Sequence, residues 1–234
     1  MNTDNVPVRD AATVIVLRDR RRDPHVLMGQ RGARAAFMPN KFVFPGGALD
    51  AADAVVPLAT SLPASCAERL AEECAVDLSS ALAAAAIREL WEETGLILGQ
   101  HGIWPEIPAG DWASFAATGH LPVAHPLQFV FRAITPPGSP RRFDARFFLL
   151  DADEIANDPD DFSAAQEELS HLQWVPLARA RHEYDLPFIT EVVLAEVEAR
   201  VHDPAPPATV PFFRNDDEAN LFVRLRGYNP RSEE

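Results

Sequence analysis

Residues 88–96, which read Arg-Glu-Leu-Trp-Glu-Glu-Thr-Gly-Leu, constrain the fold more than any other part of this sequence. The run before them is rich in alanine and has neither Gly nor Pro, which favours a helix that continues through the segment. Gly95 is typical of the residue that ends such a helix. At about 3.6 residues per turn, Glu89, Glu92 and Glu93 fall on one face. We therefore predict a helix that presents three carboxylates together.

Three anionic side chains at this spacing repel one another unless water or a cation neutralises them. Hard carboxylate oxygens suit Mg²⁺ or Mn²⁺ better than zinc, so the cluster predicts a site for one of these ions. Arg88 directly precedes Glu89 and stands four residues before Glu92, where it can orient a carboxylate through a charge-assisted hydrogen bond. A solvated, salt-bridged helix face is the alternative that the glutamates alone leave open.

The complete pattern resembles the Nudix box of the Nudix hydrolases, G-x5-E-x7-R-E-U-x-E-E-x-G-U, in which U is apolar. Its second half matches residues 88–96 in full, and Phe44, Pro45 and Gly46 lead into Gly47 as a strand-ending turn. However, 40 residues separate Gly47 from Arg88, about three times as many as the pattern has. Asp53 stands six positions after Gly47, where the pattern has its first glutamate. The resemblance therefore implies a helical insertion inside the box, at about 51–80.

The Nudix resemblance implies an α+β fold, a Nudix-type α/β/α sandwich with a mixed sheet, formed by a single domain over 1–234. In that family the box helix binds divalent cations and hydrolyses a nucleoside diphosphate linked to another group. The resemblance implies metal ligation by Glu89, Glu92, Glu93 and the carbonyl of Gly46. The alternative is a Nudix-fold module that senses a nucleotide without cleaving it. Such a module would be expected to lose box carboxylates, whereas this sequence keeps all three.

A loop glutamate is a further candidate for the catalytic machinery. Glu168 stands six residues before Trp174 and directly before a predicted strand. It matches the loop glutamate that, in Nudix proteins, completes the metal shell or acts as the general base. Glu167 is a substitute for it, and an exposed acidic loop is the alternative reading. Glu89 is the other candidate base, which Arg88 would hold in place.

Arginines outside the box are candidates for the phosphates of a substrate, because the guanidinium fork matches phosphate geometry. Arg141 and Arg142 adjoin in a proline-rich loop, and Arg31 follows the second predicted strand. A solvated turn is as good an interpretation for one of the adjacent pair. The insertion and residues 140–148 together resemble the Nudix branch that includes a peroxisomal coenzyme A diphosphatase. That resemblance suggests coenzyme A or an acyl derivative, while ADP-ribose, a dinucleotide cofactor or a nucleotide sugar stay open.

Composition limits the partners and the compartment. The formal net charge of -14 argues against binding to nucleic acid or to an anionic membrane. An anionic substrate must therefore meet a local basic patch or a bound cation. No apolar run approaches the roughly 20 residues that span a bilayer, and the first residues lack a signal-peptide pattern. We expect a cytoplasmic protein in which Cys66 and Cys74 are free thiols.

The remaining elements follow from hydrophobic patterning and turn residues. We expect a hairpin near the start of the chain, a helix in the insertion, an antiparallel strand pair before Glu168 and a late amphipathic helix. Their predicted ranges are 12–17 with 26–28, 66–76, 126–134 with 145–150, and 186–201. A C-terminal extension at about 203–234 begins with a proline-rich connector. Its segment 220–226 can form an edge strand or reach a second subunit, which leaves a homodimer open.

Overall fold

The protein is described by a computed structural model over residues 6–33, 38–166, 168–215 and 220–227. Glu167, the substitute for Glu168, lies outside the described residues, as does most of the tail that follows the last strand. No helix within these ranges is long and apolar enough to cross a membrane.

A mixed sheet of nine strands in the described part of the chain forms the centre of the molecule. Strands β5 and β6 form a separate small sheet. The strands are β1 Val8–Arg18, β2 His25–Arg31, β3 Phe42–Val43, β4 Gly46–Ala48, β5 Gly99–His101, β6 His120–Pro122, β7 Gln128–Ile134, β8 Arg142–Asp151, β9 Leu169–Pro176, β10 Val210–Asn215 and β11 Asn220–Leu225.

The large sheet has the strand order β11-β10-β7-β8-β1-β2-β3, with β4 paired to β1 and β9 paired to β2. Two of its pairs are parallel, β1 with β8 and β7 with β10, and the other named pairs are antiparallel. The β1–β2 hairpin and the antiparallel pairing of β7 with β8 confirm the sequence predictions. β8 begins at Arg142, however, so Arg142 belongs to a strand and not to the preceding loop.

Five α-helices occur in the described ranges: α1 Ala64–Ala71, α2 Ser79–Thr94, α3 Trp112–Ala116, α4 Leu177–Glu183 and α5 Phe188–Arg200. The helix with the three glutamates is α2. At its start the carboxylate of Asp77 accepts a hydrogen bond of 2.8 Å from the N–H of Ser79. At its end Gly95 adopts the left-handed conformation, with φ of 73°, and its N–H donates to the carbonyl of Trp91. Gly95 therefore ends the helix as predicted, because glycine takes this conformation without a Cβ clash.

The sheet is buried on both faces, which explains why β1 is an almost continuous apolar run. Successive residues of a strand face opposite sides. Val14 and Val16 accordingly pack in the hydrophobic cluster that contains α2, whereas Ile15 and Leu17 pack in the cluster that contains α5. The two helices thus cover opposite faces, and the predicted α/β/α sandwich with a mixed sheet is confirmed.

The predicted insertion contains less helix than we expected. A short 3-10 helix at Ala51–Ala54 precedes α1, which ends at Ala71 instead of continuing to residue 76. The chain turns out of the helix at Glu72, whose backbone is extended. The carboxylate of Glu72 accepts hydrogen bonds of 2.7 Å from the N–H groups of Arg226 and Gly227. These bonds tie the end of α1 to the C-terminal extension, a tertiary contact that local patterning cannot indicate.

The C-terminal extension completes one edge of the sheet. β10 and β11 form an antiparallel hairpin, and β10 pairs in parallel with β7. The predicted edge strand at 220–226 is confirmed as β11 at the end of the strand order. Cys66 and Cys74 are free, as predicted, and burial raises the pKa of the Cys66 thiol to about 11.

Candidate active site

The candidate site lies where the glutamate face of α2 meets β4. The N–H of Gly46 donates a hydrogen bond of 2.7 Å to Oε2 of Glu93. A Cβ atom on Gly46 would stand only 2.5 Å from the carbonyl oxygen of Ala12. A Cβ atom on Gly47 would stand 2.3 Å from Oε1 of Glu89. The glycine pair therefore lets the backbone approach both the neighbouring strand and the carboxylates of α2.

Arg88 is the centre of the hydrogen-bond network at this site and is 4% exposed. Its Nη1 donates to Glu89 at 2.9 Å and to Glu92 at 3.0 Å. Its Nε and Nη2 donate to the two carboxylate oxygens of Asp53. Its Nη2 also donates to the carbonyl of Ala48. Arg88 thus bonds two of the three box glutamates, where the sequence predicted that it orients one, and it is itself held from the opposite side.

The three box glutamates are held in an environment that disfavours their charge. Burial raises the pKa of Glu89 from 4.5 to about 7, although Arg88 opposes this shift. Burial and then the nearby charge of Glu89 raise the pKa of Glu93 well above its ordinary value. Burial also raises the pKa of Glu92. By contrast, although burial opposes its charge, the bonds to Asp53 and the neighbouring carboxylates raise the pKa of Arg88.

The chemistry of this donor set fits a divalent cation. Oε1 of Glu92 and Oε1 of Glu93 are buried and lack a hydrogen-bond partner among the described residues. Buried carboxylate oxygens of this kind are stabilised by a positive charge, and oxygen donors suit Mg²⁺ or Mn²⁺. As the side chains stand, no group of three or more His, Cys, Asp or Glu residues in the described ranges is spaced to hold a metal ion. One carboxylate oxygen of Glu89 and one of Glu92 accept hydrogen bonds from Arg88.

The structure brings Glu168 and Arg31 to the same place. Glu168 directly precedes β9, Arg31 ends β2, and their side chains are joined by an ion pair of 3.0 Å. Both residues line a cavity that Glu89, Gly46 and Gly47 also line. Glu168 therefore lies beside the box, where a metal ligand or a general base has to lie, and its role stays a prediction.

The cavity has a volume of about 610 Å³ and extends from the box to α5 and β10. Arg141 lines it, but Arg142 does not. The side chain of Arg142 is buried, and its guanidinium donates to the carbonyls of Thr135 and Asn215. Since these bonds occupy the guanidinium, the structure gives Arg142 a structural role, and the phosphate-binding prediction is kept for Arg31 and Arg141.

The sequence did not lead us to predict a place in the site for Asp53 or Arg9. Asp53 is 2% exposed and carries the ion pair with Arg88. Its position six residues after Gly47, where the family pattern has a glutamate, was the signal that could have identified it. Arg9 is exposed and lines the cavity from β1, and no local pattern marks it.

Comparisons with known proteins place the chain among relatives with the same fold. The family model described as the NUDIX domain matches residues 7–196. The protein named "Putative nudix hydrolase 7" of Caenorhabditis elegans is 30% identical over an alignment of 179 residues, and the match covers 71% of this chain and 51% of that protein. The chain thus spans about half the length of this curated relative.

A solved structure agrees with the family model. The crystal structure of a NUDIX hydrolase from Alicyclobacillus acidocaldarius is 28% identical in sequence, with a TM-score of 0.59. The match covers 86% of this chain and 94% of that chain. Together with the box residues on α2 and the sandwich around them, these matches show that the chain belongs to the Nudix family.

Proposed function

We propose that the chain is a hydrolase that depends on a divalent cation and cleaves the diphosphate linkage of a nucleoside diphosphate derivative. The observation that carries the proposal is the convergence of α2, β4 and Glu168 on one end of a single cavity. Family membership supports it, because the matched relatives bear the name Nudix hydrolase.

The residues that would hold Mg²⁺ or Mn²⁺ are Glu89, Glu92, Glu93 and the carbonyl of Gly46. Such an ion, when bound, lowers the pKa of a water molecule and neutralises charge on phosphoryl oxygens. Its positive charge would also let a protein with a net charge of -14 accept an anionic substrate. Arg88 holds Glu89 and Glu92 through the hydrogen bonds described above, in the way that neighbouring groups hold the carboxylates of a metal site.

The reaction we infer is attack of water on one phosphorus of the diphosphate. A P–O bond forms to the water oxygen, and the bond from that phosphorus to the bridging oxygen breaks. Glu168 or Glu89 takes the proton of the water, and the departing phosphate retains the bridging oxygen. Arg31 and Arg141 line the cavity and supply cationic donors for the phosphoryl oxygens.

Within this substrate class we infer coenzyme A or an acyl-coenzyme A. The support is the resemblance of residues 140–148 and of the long box insertion to the branch that includes a coenzyme A diphosphatase. The volume of about 610 Å³ and the partly apolar lining of the cavity are compatible with a ligand of this class. ADP-ribose, dinucleotide cofactors and nucleotide sugars are the competing substrates that an experiment has to compare.

The test is hydrolysis of a substrate panel in Mg²⁺, in Mn²⁺ and in chelator. The panel contains coenzyme A, octanoyl-coenzyme A, ADP-ribose, NADH, a dinucleoside polyphosphate and a nucleoside triphosphate. We expect cleavage that depends on metal, with adenosine 3′,5′-diphosphate and a phosphopantetheine as the products from coenzyme A. Hydrolysis of ADP-ribose alone would contradict the coenzyme A assignment but not the hydrolase.

Two variants complete the test. Glu92→Gln removes a box carboxylate and should abolish most activity while the protein stays folded. Glu106→Gln is the matched control, because Glu106 is exposed and does not line the cavity. A fully active Glu92→Gln protein would show that the metal site is elsewhere. Nucleotide binding by calorimetry without hydrolysis of any panel member would overturn the hydrolase in favour of a sensor.

A further inference from the structure

The side of the cavity that β8, α5 and β10 form is lined by aromatic side chains. Phe143 and Phe147 come from β8, Phe188 is the first residue of α5, and Phe213 comes from β10. Phe188 is 69% exposed even though it is a large apolar residue. Such exposure at the rim of a cavity is typical of a surface that a ligand covers.

Part of this wall lies outside the region that defines the family. The NUDIX domain match ends at residue 196, whereas Phe213 and Asn215 belong to β10. β10 is nevertheless an integral strand of the large sheet, because Phe213 pairs in parallel register with Ala133 of β7. The ring of Phe213 also packs on Phe222 of β11, with 6.3 Å between the ring centroids. The described strands of the C-terminal hairpin therefore form part of the sheet beside the cavity.

Two of the polar residues on this side of the cavity, Thr135 and Asn215, already have hydrogen-bond partners within the protein. The carbonyl of Thr135 accepts a hydrogen bond of 3.0 Å from Arg142. The hydroxyl of Thr135 accepts a hydrogen bond of 3.1 Å from the N–H of Phe143. The side-chain amide of Asn215 donates to the carbonyl of Ile134, and the carbonyl of Asn215 accepts from Arg142. A nucleobase that entered here would compete with these internal bonds for its own donors and acceptors, and any that stayed unpaired would be costly. An apolar group carries no such penalty.

Charged residues line the cavity beside the box and also on its exposed rim, where Arg9 is the strand partner of Phe143. Arg31 and Glu168 are paired beside the box, whereas Arg9 and Arg141 are exposed residues of the lining. A ligand that fits both parts has an anionic portion at the box and an apolar portion against the aromatic wall. A cavity with this amphipathic lining selects a substrate by its apolar group as well as by its diphosphate.

We propose that β10 and the first turn of α5 form a specificity element that binds an aliphatic group on the half of the substrate beyond the diphosphate. Phe188 and Phe213 are the residues that determine this preference. The inference rests on the proposed function, since the diphosphate has to lie at α2 for the aliphatic group to reach this wall. One of its two parts, β10, lies outside the family match, whereas Phe188 lies within it.

The experiment uses the full chain and a series in which only the apolar group varies: coenzyme A and its acetyl, butyryl and octanoyl thioesters. We measure kcat/KM in Mg²⁺ and, separately, Kd by calorimetry in chelator, where hydrolysis does not interfere. Each methylene that is fully buried can tighten binding by up to about fourfold. We therefore expect kcat/KM to rise, and Kd to fall, by at least about tenfold from acetyl to octanoyl.

Two variants locate the effect. Phe188→Ala removes an exposed ring, so the fold should persist, and the octanoyl-to-acetyl ratio should fall to within about threefold of unity. Phe188→Leu keeps an apolar side chain and should restore most of the ratio. Ile103→Ala is the control, because Ile103 is 92% exposed and does not line the cavity. It should leave the ratio unchanged.

The outcomes separate this inference from the proposed function. Equal kcat/KM values across the series would overturn the specificity element and leave the hydrolase intact. An unchanged ratio in Phe188→Ala would also overturn it. Absence of hydrolysis together with a Kd that falls with chain length would overturn the coenzyme A reaction but support the aliphatic wall. Absence of both hydrolysis and binding would overturn the coenzyme A assignment and the specificity element together, while the hydrolase is decided by the other members of the substrate panel.

Discussion

Asp53 accepts two hydrogen bonds from the guanidinium of Arg88, at 2.9 Å from Nε and 3.0 Å from Nη2, across 35 residues of sequence. The side chains of both residues are buried, with exposed fractions of 0% and 5%. Trp112 donates a further hydrogen bond of 2.9 Å to the same carboxylate. The short 3-10 helix at the start of the insertion thereby fixes the arginine that orients Glu89 and Glu92.

We predict that Asp53→Ala is strongly destabilising. The substitution leaves Arg88 as a buried charge that has lost its bidentate partner, a change that typically costs about 3 to 5 kcal/mol. Activity should also fall, because Arg88 would be free to move together with the carboxylates that it holds. Urea denaturation of the wild type and the variant measures the loss in the free energy of unfolding.

An exposed ion pair provides the control for Asp53→Ala. Asp160 pairs with Arg18 at 2.6 Å, but its side chain is 65% exposed. Asp160→Ala should therefore change the free energy of unfolding by no more than about 1 kcal/mol. If the two variants were equally stable, the Asp53–Arg88 pair would have no special structural importance.

We predict that Gly47→Ala abolishes most activity without unfolding the protein. The added Cβ would lie 2.3 Å from one carboxylate oxygen of Glu89 and 2.6 Å from the other. Because a side-chain end can move where backbone cannot, the carboxylate should shift away from Arg88 at little cost to the fold. The measurement is kcat together with the melting temperature.

Gly32→Ala is the matched control, since a Cβ on Gly32 would meet no heavy atom of the described residues within 4 Å. This variant should keep both its melting temperature and its activity. Full activity in Gly47→Ala would mean that the position of the Glu89 carboxylate is not important for the reaction.

Local patterning was enough to predict α2, because its signals lie within the helix itself. The alanine-rich sequence, the spacing of the glutamates and Gly95 are properties of neighbouring residues, and the structure has a helix at Ser79–Thr94 that ends at Gly95. The partner of Arg88 was not predictable in the same way. The long insertion removes the fixed spacing that would have linked Asp53 to Arg88, so only the tertiary structure shows that the two meet.

The adjacent arginines show a second limit of sequence reasoning. Successive residues of a strand face opposite sides, so two adjacent arginines at the point where a strand begins have different surroundings. The loop before β8 ends at Arg141, which is exposed, and the strand begins at Arg142, which is buried. The proline-rich sequence indicated a loop but not its last residue. The contribution of β10 to the cavity wall could not be predicted from the sequence either, because it depends on a pairing between strands that are distant in the chain.

The raised pKa of Glu89 predicts how the stability of the metal-free protein depends on pH. Since that pKa is 4.5 ordinarily and about 7 in the fold, the folded state binds more protons than the unfolded chain between these values. Stability without metal should therefore fall as the pH rises through this window, by on the order of 1 to 3 kcal/mol. Thermal unfolding in chelator at several pH values from 5 to 8 measures the slope.

Two comparisons test the origin of this pH dependence. Glu89→Gln cannot ionise and should show a shallower slope, whereas Glu106→Gln, an exposed position, should retain the slope of the wild type. Added Mg²⁺ should raise the melting temperature more at pH 8 than at pH 5, because a cation binds the ionised carboxylates. A melting temperature that increases with pH in chelator would contradict the assignment.

We predict that Arg141→Ala and Arg142→Ala affect different properties of the protein. Arg142 is buried and bonded to the carbonyls of Thr135 and Asn215, so its removal should lower the free energy of unfolding by about 2 to 3 kcal/mol. Arg141 is exposed on the cavity lining, so its removal should change stability by less than about 0.5 kcal/mol. Loss of a charge-assisted bond to phosphate should instead raise KM by roughly tenfold. Urea denaturation and steady-state kinetics on both variants measure the two effects, and an unchanged KM in Arg141→Ala would exclude this residue from phosphate binding.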